Sequence, residues 1–530
     1  MKKIVVAFFL LISYVSPSQE VKWSREFELN KIYDPSLSKT PGYDMIGYSD
    51  DHITIYTDSK PWDGFQYTRK NADVYIQIFS RDDLGLKEDI LIDTKEELRD
   101  GENYIGINFF NNTAYMTVGT FDEEDKNIVN IYLRPFDIIE SFVEDKIELG
   151  SVKRVMRSSY VENLPTGYLR TSSEDYNLKA YYTRQHLMEK KMFDPDQTGV
   201  LNEFRIYNNE KDEWEKITYK TDDLKHFRVH DFCIGNDGSF CVLAFPYLNS
   251  QGGWFSKNEE LKGYLIYRIK GQDVKHQKFT YDKTTSKIMS LIPTNDGQFI
   301  FFGHVYSNDY VEFVYTHSFT QVLNADGLSD PTLIEYEDDF KIEFWNEKDK
   351  QKVIKKDKYP PGYTGIGYPD IHYSEDGFKY VVFRVDHTET LEDSDYHAER
   401  LPFVREHLVM IKLDNAGKVE WKKNIYMRRA TSSYSANDGD ASRYFNSYII
   451  NNKIYIMFNE NVKGENGEDV KTRMIAVDEQ GNISEEFSQL FKANDLIIRP
   501  EFCVELDDNV LMMYASNSKD QRIGTLDLNQ

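Results

Sequence analysis

Short apolar segments recur along the whole chain, and a turn precedes most of them. Eight such segments are predicted to be the second strands of repeated units, and they begin at Asp51, Asn112, Asn177, Asp237, Asp296, Asp376, Asn452 and Asp508. The Asp-Gly and Asn-Asn pairs ahead of several strands supply the positive φ that tight turns between strands require. Candidate third strands follow, of which the clearest are Val74–Phe79, Val129–Leu133, Leu201–Tyr207, Tyr264–Ile269 and Met474–Val477. This pattern indicates repeated four-stranded antiparallel units.

The two ends of the chain complement each other. Residues His407–Lys423 read as a strand, a tight turn and a second strand that carries Trp421. The segment Arg522–Leu528 resembles the first of these strands, and Val21–Phe27, which carries Trp23, resembles the second. A ring closed by pairing its two ends explains this arrangement. We therefore predict an all-β fold, a single β-propeller whose last blade is completed by the N-terminal strand.

The number of blades depends on the two segments that fit the repeat least well. These segments are the third unit, near Asn177, and the stretch Asn324–Lys358. If either is an insertion, the count is seven. We favour eight blades.

One turn and strand carry a more specific pattern. Leu413-Asp414-x-x-Gly417-x-x-x-Trp421 resembles the blade signature of quinoprotein-type propellers, in which a tryptophan docks neighbouring blades, and Trp214 stands in a looser second copy. Quinoprotein dehydrogenases of that type carry adjacent cysteines beside the cofactor, whereas this chain has no Cys-Cys pair. The resemblance therefore implies a fold and a docking role for tryptophan, without the cofactor.

The start of the chain predicts export. Lys2 and Lys3 precede nine apolar residues, Ile4–Ile12, and Ser16-Pro17-Ser18 follows. This order is typical of a secretory signal peptide. We expect a signal peptide at residues 1–18, a propeller domain at 19–530, and a periplasmic or extracellular protein. No later apolar run is long enough to predict membrane insertion.

The net charge limits the kinds of partner, and the number of cysteines limits the role of disulfides. The formal net charge of −25 argues against nucleic acid as a partner, since an acidic surface repels phosphate. The three cysteines, Cys233, Cys241 and Cys503, are too few for a disulfide scaffold and read as packing residues. A disulfide between Cys233 and Cys241 across a hairpin stays open as an alternative.

The connections between second and third strands are long, whereas those between first and second strands are tight. The long connections are predicted at Ser59–Tyr67, Arg184–Gly199, Pro246–Lys262 and Asp386–Glu406. Binding residues concentrate on elaborated loops held by a rigid scaffold. The candidate ligand-binding residues on them are Trp62, Phe65, Tyr67, Trp254, Phe255, His387 and His397. The aromatic members suit stacking on a sugar ring or an extended peptide, and the alternative is that they pack onto neighbouring blades.

The segment Asp194–Asn202 is a candidate metal site. Asp194, Asp196, Thr198 and Asn202 provide oxygen atoms around a glycine turn, a spacing that resembles calcium-binding loops. Arg205 stands where a full EF-hand has its bidentate glutamate, and the same residues also form ordinary turns. Calcium is the one cofactor that the sequence suggests. The acidic segment Asp393–His397 is read as a solvated loop rather than a zinc site.

The sequence contains no Gly-x-Ser-x-Gly, His-Glu-x-x-His or phosphate-loop motif. The leading interpretation is a secreted or periplasmic binding and scaffolding propeller without catalytic activity. It recognises a glycan, a peptide or an envelope protein through its long-loop face. The alternatives are a carbohydrate-active enzyme that uses loop carboxylates, and a structural subunit of an envelope complex.

Overall fold

A computed structural model provides the structure. It describes residues 21–25, 27–28, 42–48, 51–58, 73–93, 98–99, 101–110, 113–124, 128–137, 142–143, 146–153, 156–157, 160–161, 168–173, 177–189, 196–221, 227–246, 261–281, 286–307, 314–341, 343, 365–367, 369–388, 404–431, 445–463, 468–492, 495–506, 509–517 and 520–528. The predicted signal peptide lies outside these ranges. Within them, no helix is long and apolar enough to cross a membrane.

The first half of the chain forms four blades. The two N-terminal strands are β1 (Lys22–Trp23) and β2 (Phe27–Glu28). Blade 1 consists of β3 (Gly42–Tyr48), β4 (His52–Asp58), β5 (Asp73–Ser80) and β6 (Leu86–Asp93). Blade 2 consists of β7 (Glu102–Phe110), β8 (Thr113–Phe121), β9 (Ile128–Asp137), β10 (Phe142–Val143) and β11 (Ile147–Lys153). A separate hairpin consists of β12 (Met156–Arg157) and β13 (Tyr160–Val161). Blade 3 consists of β14 (Tyr168–Ser172), β15 (Leu178–Glu189), β16 (Asp196–Asn208) and β17 (Glu213–Thr221). Blade 4 consists of β18 (Phe227–Ile234), β19 (Phe240–Pro246), β20 (Leu261–Arg268) and β21 (Lys275–Tyr281).

The second half forms the other four. Blade 5 consists of β22 (Ser286–Pro293), β23 (Phe299–Ser307), β24 (Val314–Asn324), β25 (Gly327–Leu328) and β26 (Thr332–Glu335), and helix α1 (Asp338–Lys341) follows it. Blade 6 consists of β27 (Gly365–Ile366), β28 (Asp370–Tyr373), β29 (Lys379–Thr388), β30 (Val404–Leu413) and β31 (Val419–Thr431). Blade 7 consists of β32 (Phe445–Ile450), β33 (Lys453–Lys463), β34 (Glu468–Val477) and β35 (Ile483–Phe491). Blade 8 consists of β36 (Ile497–Ile498), β37 (Val504–Leu506), β38 (Val510–Ser516) and β39 (Asp520–Asp527), with a 3-10 helix at Pro500–Phe502.

The prediction of an all-β propeller with eight blades is confirmed. Each of the eight predicted second strands is the second strand of a blade. The third unit, which fits the repeat poorly in sequence, is a complete four-stranded blade. Of the doubtful stretch Asn324–Lys358, the first part supplies the outer strand of blade 5 and α1. First strands of neighbouring blades contact one another, as β18 does with β22 and β28 with β32, because they surround the central axis.

The N-terminal strands close the ring, as predicted. Strand β1 pairs antiparallel with β39, so that Trp23 lies opposite Gly524. The backbone N–H of Ser24 donates to the carbonyl of Ile523 at 2.8 Å, and the Arg522 guanidinium lies 4.2 Å from the centre of the Trp23 ring. A Cβ atom on Gly524 would lie 2.7 Å from the Trp23 ring, so the closure needs glycine there.

The core lies between blades, where apolar faces of adjacent sheets meet. Between blades 3 and 4, the rings of Phe204 and Phe240 are 4.2 Å apart, and both side chains are fully buried. Where blade 8 meets blade 1, Ile53 and Phe79 share a buried cluster with Tyr514. Because each sheet buries both faces against its neighbours, the strands read as nearly continuous apolar runs.

The tryptophan docking implied by the quinoprotein-like pattern is observed at Trp421. Its indole Nε1 donates a hydrogen bond of 2.9 Å to the carbonyl of Glu479, in the turn between β34 and β35 of blade 7. The ring lies against Gly481, which has a φ of +80°. Trp214 of blade 3 packs against Tyr207 of its own blade, with ring centres 5.0 Å apart and planes tilted by 40°, and it borders a buried cluster that also includes Ile131 of blade 2. This docking shows how blades are joined and assigns no family.

Candidate functional site

The two faces of the ring differ in the length of their connections. Between first and second strands, as between Ile234 and Phe240, no more than five residues intervene in any blade. Between second and third strands, fourteen residues separate Asp58 from Asp73 and Pro246 from Leu261, and fifteen separate Thr388 from Val404. Links between blades lie on the same side, and thirteen residues separate Thr431 from Phe445. The second-to-third connections of blades 1, 4 and 6 and the blade-to-blade connections therefore define the long-loop face, while in the other five blades three to six residues join the second strand to the third.

Contacts between neighbouring blades fill the opposite face, the tight-turn face. A Cβ atom on Gly297 of blade 5 would lie 2.5 Å from a carboxylate oxygen of Asp237 in blade 4. The hydroxyl of Thr320 donates to the carbonyl of Gly417 at 2.7 Å and joins blade 5 to blade 6. The Trp421–Gly481 contact joins blade 6 to blade 7 in the same way. These turns therefore contribute to the packing of neighbouring blades.

The aromatic binding candidates lie outside the described residues. Five of them, Trp62, Phe65, Tyr67, Trp254 and Phe255, fall in the long connections after β4 and β19, and so does His397 after β29. His387 lies on β29, with its backbone opposite Arg405 of β30. Their roles in ligand binding stay predictions.

The connection in blade 3 is shorter than the sequence suggested. We predicted a loop over Arg184–Gly199, but β15 continues to Glu189 and β16 begins at Asp196. The two strands pair from Leu178↔Asn208 out to Glu189↔Asp196, beyond the ends of the other strands of the blade. The predicted loop is therefore mostly a long hairpin arm.

This arm contains most of the candidate calcium segment. Asp194 lies outside the described residues, and Asp196 and Thr198 lie on β16. Asn202 is fully buried, where its Oδ1 accepts from the Tyr182 hydroxyl at 2.7 Å and its Nδ2 donates to the carbonyl of Tyr219 at 3.0 Å. The described residues hold no cluster of three or more His, Cys, Asp and Glu side chains. The calcium site stays a prediction, with Asn202 already engaged inside the sheet.

A polar cluster on the inner strands was missed in the sequence. Asp370 and His372 alternate along β28 and therefore lie on the same side of the blade 6 sheet. Ser447 on β32 of blade 7 stands between them, with its hydroxyl 3.0 Å from Asp370 Oδ2 and 2.7 Å from His372 Nε2. We call these three residues the blade 6–7 bridge. The available signal was an Asp-x-His alternation just ahead of a tight turn, but its serine partner lies 77 residues from Asp370 in sequence.

The environment of the bridge changes its acid–base properties. Asp370 and His372 are half-buried on the first strand of blade 6, and Ser447 is buried. Desolvation raises the pKa of Asp370 to about 6, against the smaller opposing effect of the hydrogen bond from Ser447. Desolvation also lowers the pKa of His372 to about 4. Near neutral pH the carboxyl group is therefore ionised and the imidazole is neutral.

Blade 4 carries a related carboxylate at the equivalent position. Asp231 lies opposite Leu243, and Asp370 lies opposite Val382. In each hairpin three further residue pairs follow before the tight turn. Asp231 accepts the backbone N–H of Leu291 in blade 5 at 2.8 Å. Desolvation raises the pKa of Asp231 to about 6. An inner-strand aspartate thus reaches the next blade in both places.

The bridge contains the residue types of a catalytic triad, but its hydrogen bonds connect them in a different order. In a catalytic triad the carboxylate orients the histidine, and the serine hydroxyl is bonded to the histidine alone. Here Ser447 gives its single proton to the carboxylate of Asp370 and accepts the N–H of His372. The oxygen lone pair that would attack a substrate is directed at an imidazole proton. The geometry therefore supports a link between blades rather than acyl transfer.

The cysteines are packing residues, as predicted. Cys233 and Cys241 lie directly opposite each other on β18 and β19, and both are free and buried, as is Cys503. Burial raises the pKa of both Cys233 and Cys241 well above the ordinary thiol value. Both thiols therefore stay protonated and unreactive near neutral pH.

Comparisons with known proteins found distant structural similarity and no family. No protein-family model matches the chain, and no curated protein matches its sequence. The WD40 domain of SCAP from fission yeast is similar, at 9% identity and a TM-score of 0.37, over 88% of this chain and 94% of that one. Levansucrase from Bacillus subtilis shows 15% identity and a TM-score of 0.27, over 55% and 79% of the two chains. Xylan β-1,4-xylosidase from Bacillus halodurans shows 12% identity and a TM-score of 0.22, over 97% and 92%. At these TM-scores the similarities carry no argument about function.

Proposed function

We propose that this protein is an exported binding propeller that captures a glycan, a peptide or an envelope protein on its long-loop face. The observation that carries the proposal is the contrast between the two faces of the ring. The connections on one side contain up to six residues within a blade, whereas those on the other reach fifteen between Thr388 and Val404. Long connections on a rigid scaffold are where binding residues concentrate.

The rigidity of the scaffold supports the same proposal. The strands that flank the longest of these connections, β29 and β30, are paired from Lys379↔Leu413 out to Thr388↔Val404. Such strands hold the ends of a loop in place, which lowers the entropy lost when the loop binds. Aromatic residues in these connections, Trp62 and Trp254 among them, offer large contact areas with few rotatable bonds.

The proposal is tested by binding of the purified chain to an array of glycans and to envelope extracts, with and without calcium. We expect saturable capture of one class of partner. Trp62→Ala and Trp254→Ala should each weaken that capture about tenfold, the effect of removing an aromatic anchor. The matched controls are Lys211→Ala and Asp273→Ala, because both side chains are exposed in turns of the opposite face. These variants should bind as the unchanged protein does.

Three outcomes would overturn parts of the proposal. Equal loss of capture in the control variants would move the binding surface to the tight-turn face. Turnover of a polysaccharide, abolished by a single Asp or Glu substitution, would replace the proposal with a carbohydrate-active enzyme. Co-purification with a stable partner at stoichiometric yield would indicate a structural subunit instead.

A further inference from the structure

The blade 6–7 bridge places one hydroxyl between a carboxylate and an imidazole. Ser447 has a single proton to donate, so it cannot donate to Asp370 and to His372 at once. When Asp370 is ionised, the Ser447 proton points to its Oδ2, and Ser447 Oγ accepts from His372 Nε2. This arrangement requires the imidazole to carry its proton on Nε2.

Protonation of Asp370 reverses the direction of both hydrogen bonds. A protonated carboxyl donates to Ser447 Oγ, and the Ser447 hydroxyl then donates to His372 Nε2. The imidazole must in this case carry its proton on Nδ1. Both arrangements keep the two hydrogen bonds of Ser447 Oγ, which matters because an unpartnered buried polar group is destabilising.

We propose that Asp370, Ser447 and His372 form a proton relay that keeps blade 6 joined to blade 7 in mild acid. A proton enters at His372 Nδ1 while the Nε2 proton passes to Ser447 Oγ and the Ser447 proton passes to Asp370 Oδ2. One proton is gained, the carboxylate is neutralised, and the imidazole changes tautomer without becoming charged. A second proton has no neutral position to occupy and leaves a buried imidazolium, so the blade 6–7 bridge opens.

The surroundings of the bridge favour a neutral histidine, because burial lowers the pKa of His372. On β29, Tyr380 lies opposite His372 in register, and Arg384 shares the face of Val382, the residue opposite Asp370. Lys379, next to Tyr380, is directed elsewhere, since its ammonium donates to the carbonyl of Gly377 and to Asn415 Oδ1.

The side of blade 7 that faces the bridge adds no charge in the described residues. From β32, Ser447 is the side chain bonded to both groups, and Asn446 donates instead to the carbonyl of Cys503 in blade 8. Tyr448 also donates to that carbonyl, at 2.8 Å. Asp370 and His372 are therefore the groups that titrate within the bridge.

The relay is tested by nitrogen-15 NMR of the full-length protein labelled at histidine, with the His372 signals assigned from a His372→Gln variant. As the pH falls from about 7.5 to about 5, the Nε2 signal should move from the protonated to the unprotonated range, and Nδ1 should move the opposite way. Ser447→Ala should abolish this exchange, and Ser447→Thr should restore it. Ser290→Ala is the matched control, because Ser290 occupies the equivalent position of blade 5, three pairs from the turn.

The NMR experiment can contradict the proposal in two ways. If both nitrogens of His372 move together into the protonated range, the histidine simply becomes charged and no relay exists. If the tautomer is unchanged in the native protein between the two pH values, Asp370 and His372 titrate independently. A Ser447→Ala variant that fails to fold leaves the measurement on the native protein decisive, since the tautomer exchange is observed there directly.

Discussion

Single side chains that reach the backbone of the next blade hold this ring together. Trp421 donates to the carbonyl of Glu479, Asn446 to that of Cys503, and Asn459 to that of Ile498. Each bond crosses from one sheet to its neighbour; Glu479 and Cys503 lie outside the strands, whereas Ile498 lies on β36. Cohesion between blades therefore depends on a few polar side chains in addition to apolar packing.

We expect Trp421→Ala to lower the free energy of unfolding by about 3 kcal/mol, since both ring packing and one hydrogen bond are lost. Trp421→Phe keeps an aromatic ring against Gly481 and should lose about 1 kcal/mol. Urea unfolding followed by circular dichroism measures both. Equal losses in the two variants would show that the indole ring contributes nothing beyond its hydrogen bond.

The buried thiols should not react in the native state. We expect a thiol reagent to label none of Cys233, Cys241 and Cys503 in buffer, because all three are buried and the first two have raised pKa values. In urea without reductant, all three should react. Reaction of one thiol under those conditions, rising to three after reduction, would show that Cys233 and Cys241 form a disulfide.

At the residue scale, a contact was predictable where a local turn pattern marks one of its residues. Trp421 was recognisable because the Asp414–Gly417 turn precedes it at a fixed spacing. The turn forms because the Asp414 carboxylate accepts the backbone N–H groups of Ala416 and Lys418, at 2.9 and 2.8 Å. The blade 6–7 bridge has no such local signature, since Ser447 reaches Asp370 only once the order of blades is known.

At the scale of elements, strand pairing was largely predictable, and strand ends were not. The turn residues ahead of each second strand located all eight blades. In blade 3, β15 and β16 pair from Arg184↔Asn202 out to Glu189↔Asp196, through residues that read as a loop. Polar composition suggested a loop, but these residues lie on an arm that extends beyond the blade, where polar side chains also suit a strand.

The closing strand has a measurable role. Deletion of Val21–Leu29 should remove the partner of β39 and leave an unpaired edge, which promotes association between molecules. We expect a lower unfolding temperature and a shift to oligomers in size-exclusion chromatography. Removal of Asn529 and Gln530 from the other end is the control and should change neither property. A monomer of unchanged thermal stability after the N-terminal deletion would contradict the role of β1.

At the scale of the whole molecule, three inner-strand groups with large pKa shifts contribute to the response of stability to pH. Asp231 and Asp370 have folded-state pKa values of about 6, above the ordinary value of 3.8, so the folded state binds protons more strongly than the unfolded chain does. Their contribution to stability grows as the pH falls towards 4. His372 has a folded-state pKa of about 4, below the ordinary 6.5, so its contribution is lost as the pH falls through that interval.

The two aspartates therefore outweigh the histidine between pH values of about 7 and about 5. We expect these three groups together to raise the free energy of unfolding by about 1 kcal/mol over this interval, because the loss from His372 offsets most of the gain from the two aspartates. Urea unfolding at a series of pH values measures it. Asp231→Asn should flatten the dependence, whereas His372→Gln should steepen it. An Asp231→Asn variant with the slope of the unchanged protein would show that Asp231 is not a source of the dependence.

The pairing of β1 with β39 also determines how the ring responds to mechanical force. The strands are antiparallel, with Lys22 opposite Thr525, so the chain enters the pair at Val21 on the same side on which it leaves at Leu528. A pull on the two termini therefore loads the hydrogen bonds of this ladder one after another, as in unzipping, instead of all together. Tension applied through the ends should open blade 8 at low force. The same tension applied across the middle of a blade must shear a whole ladder at once.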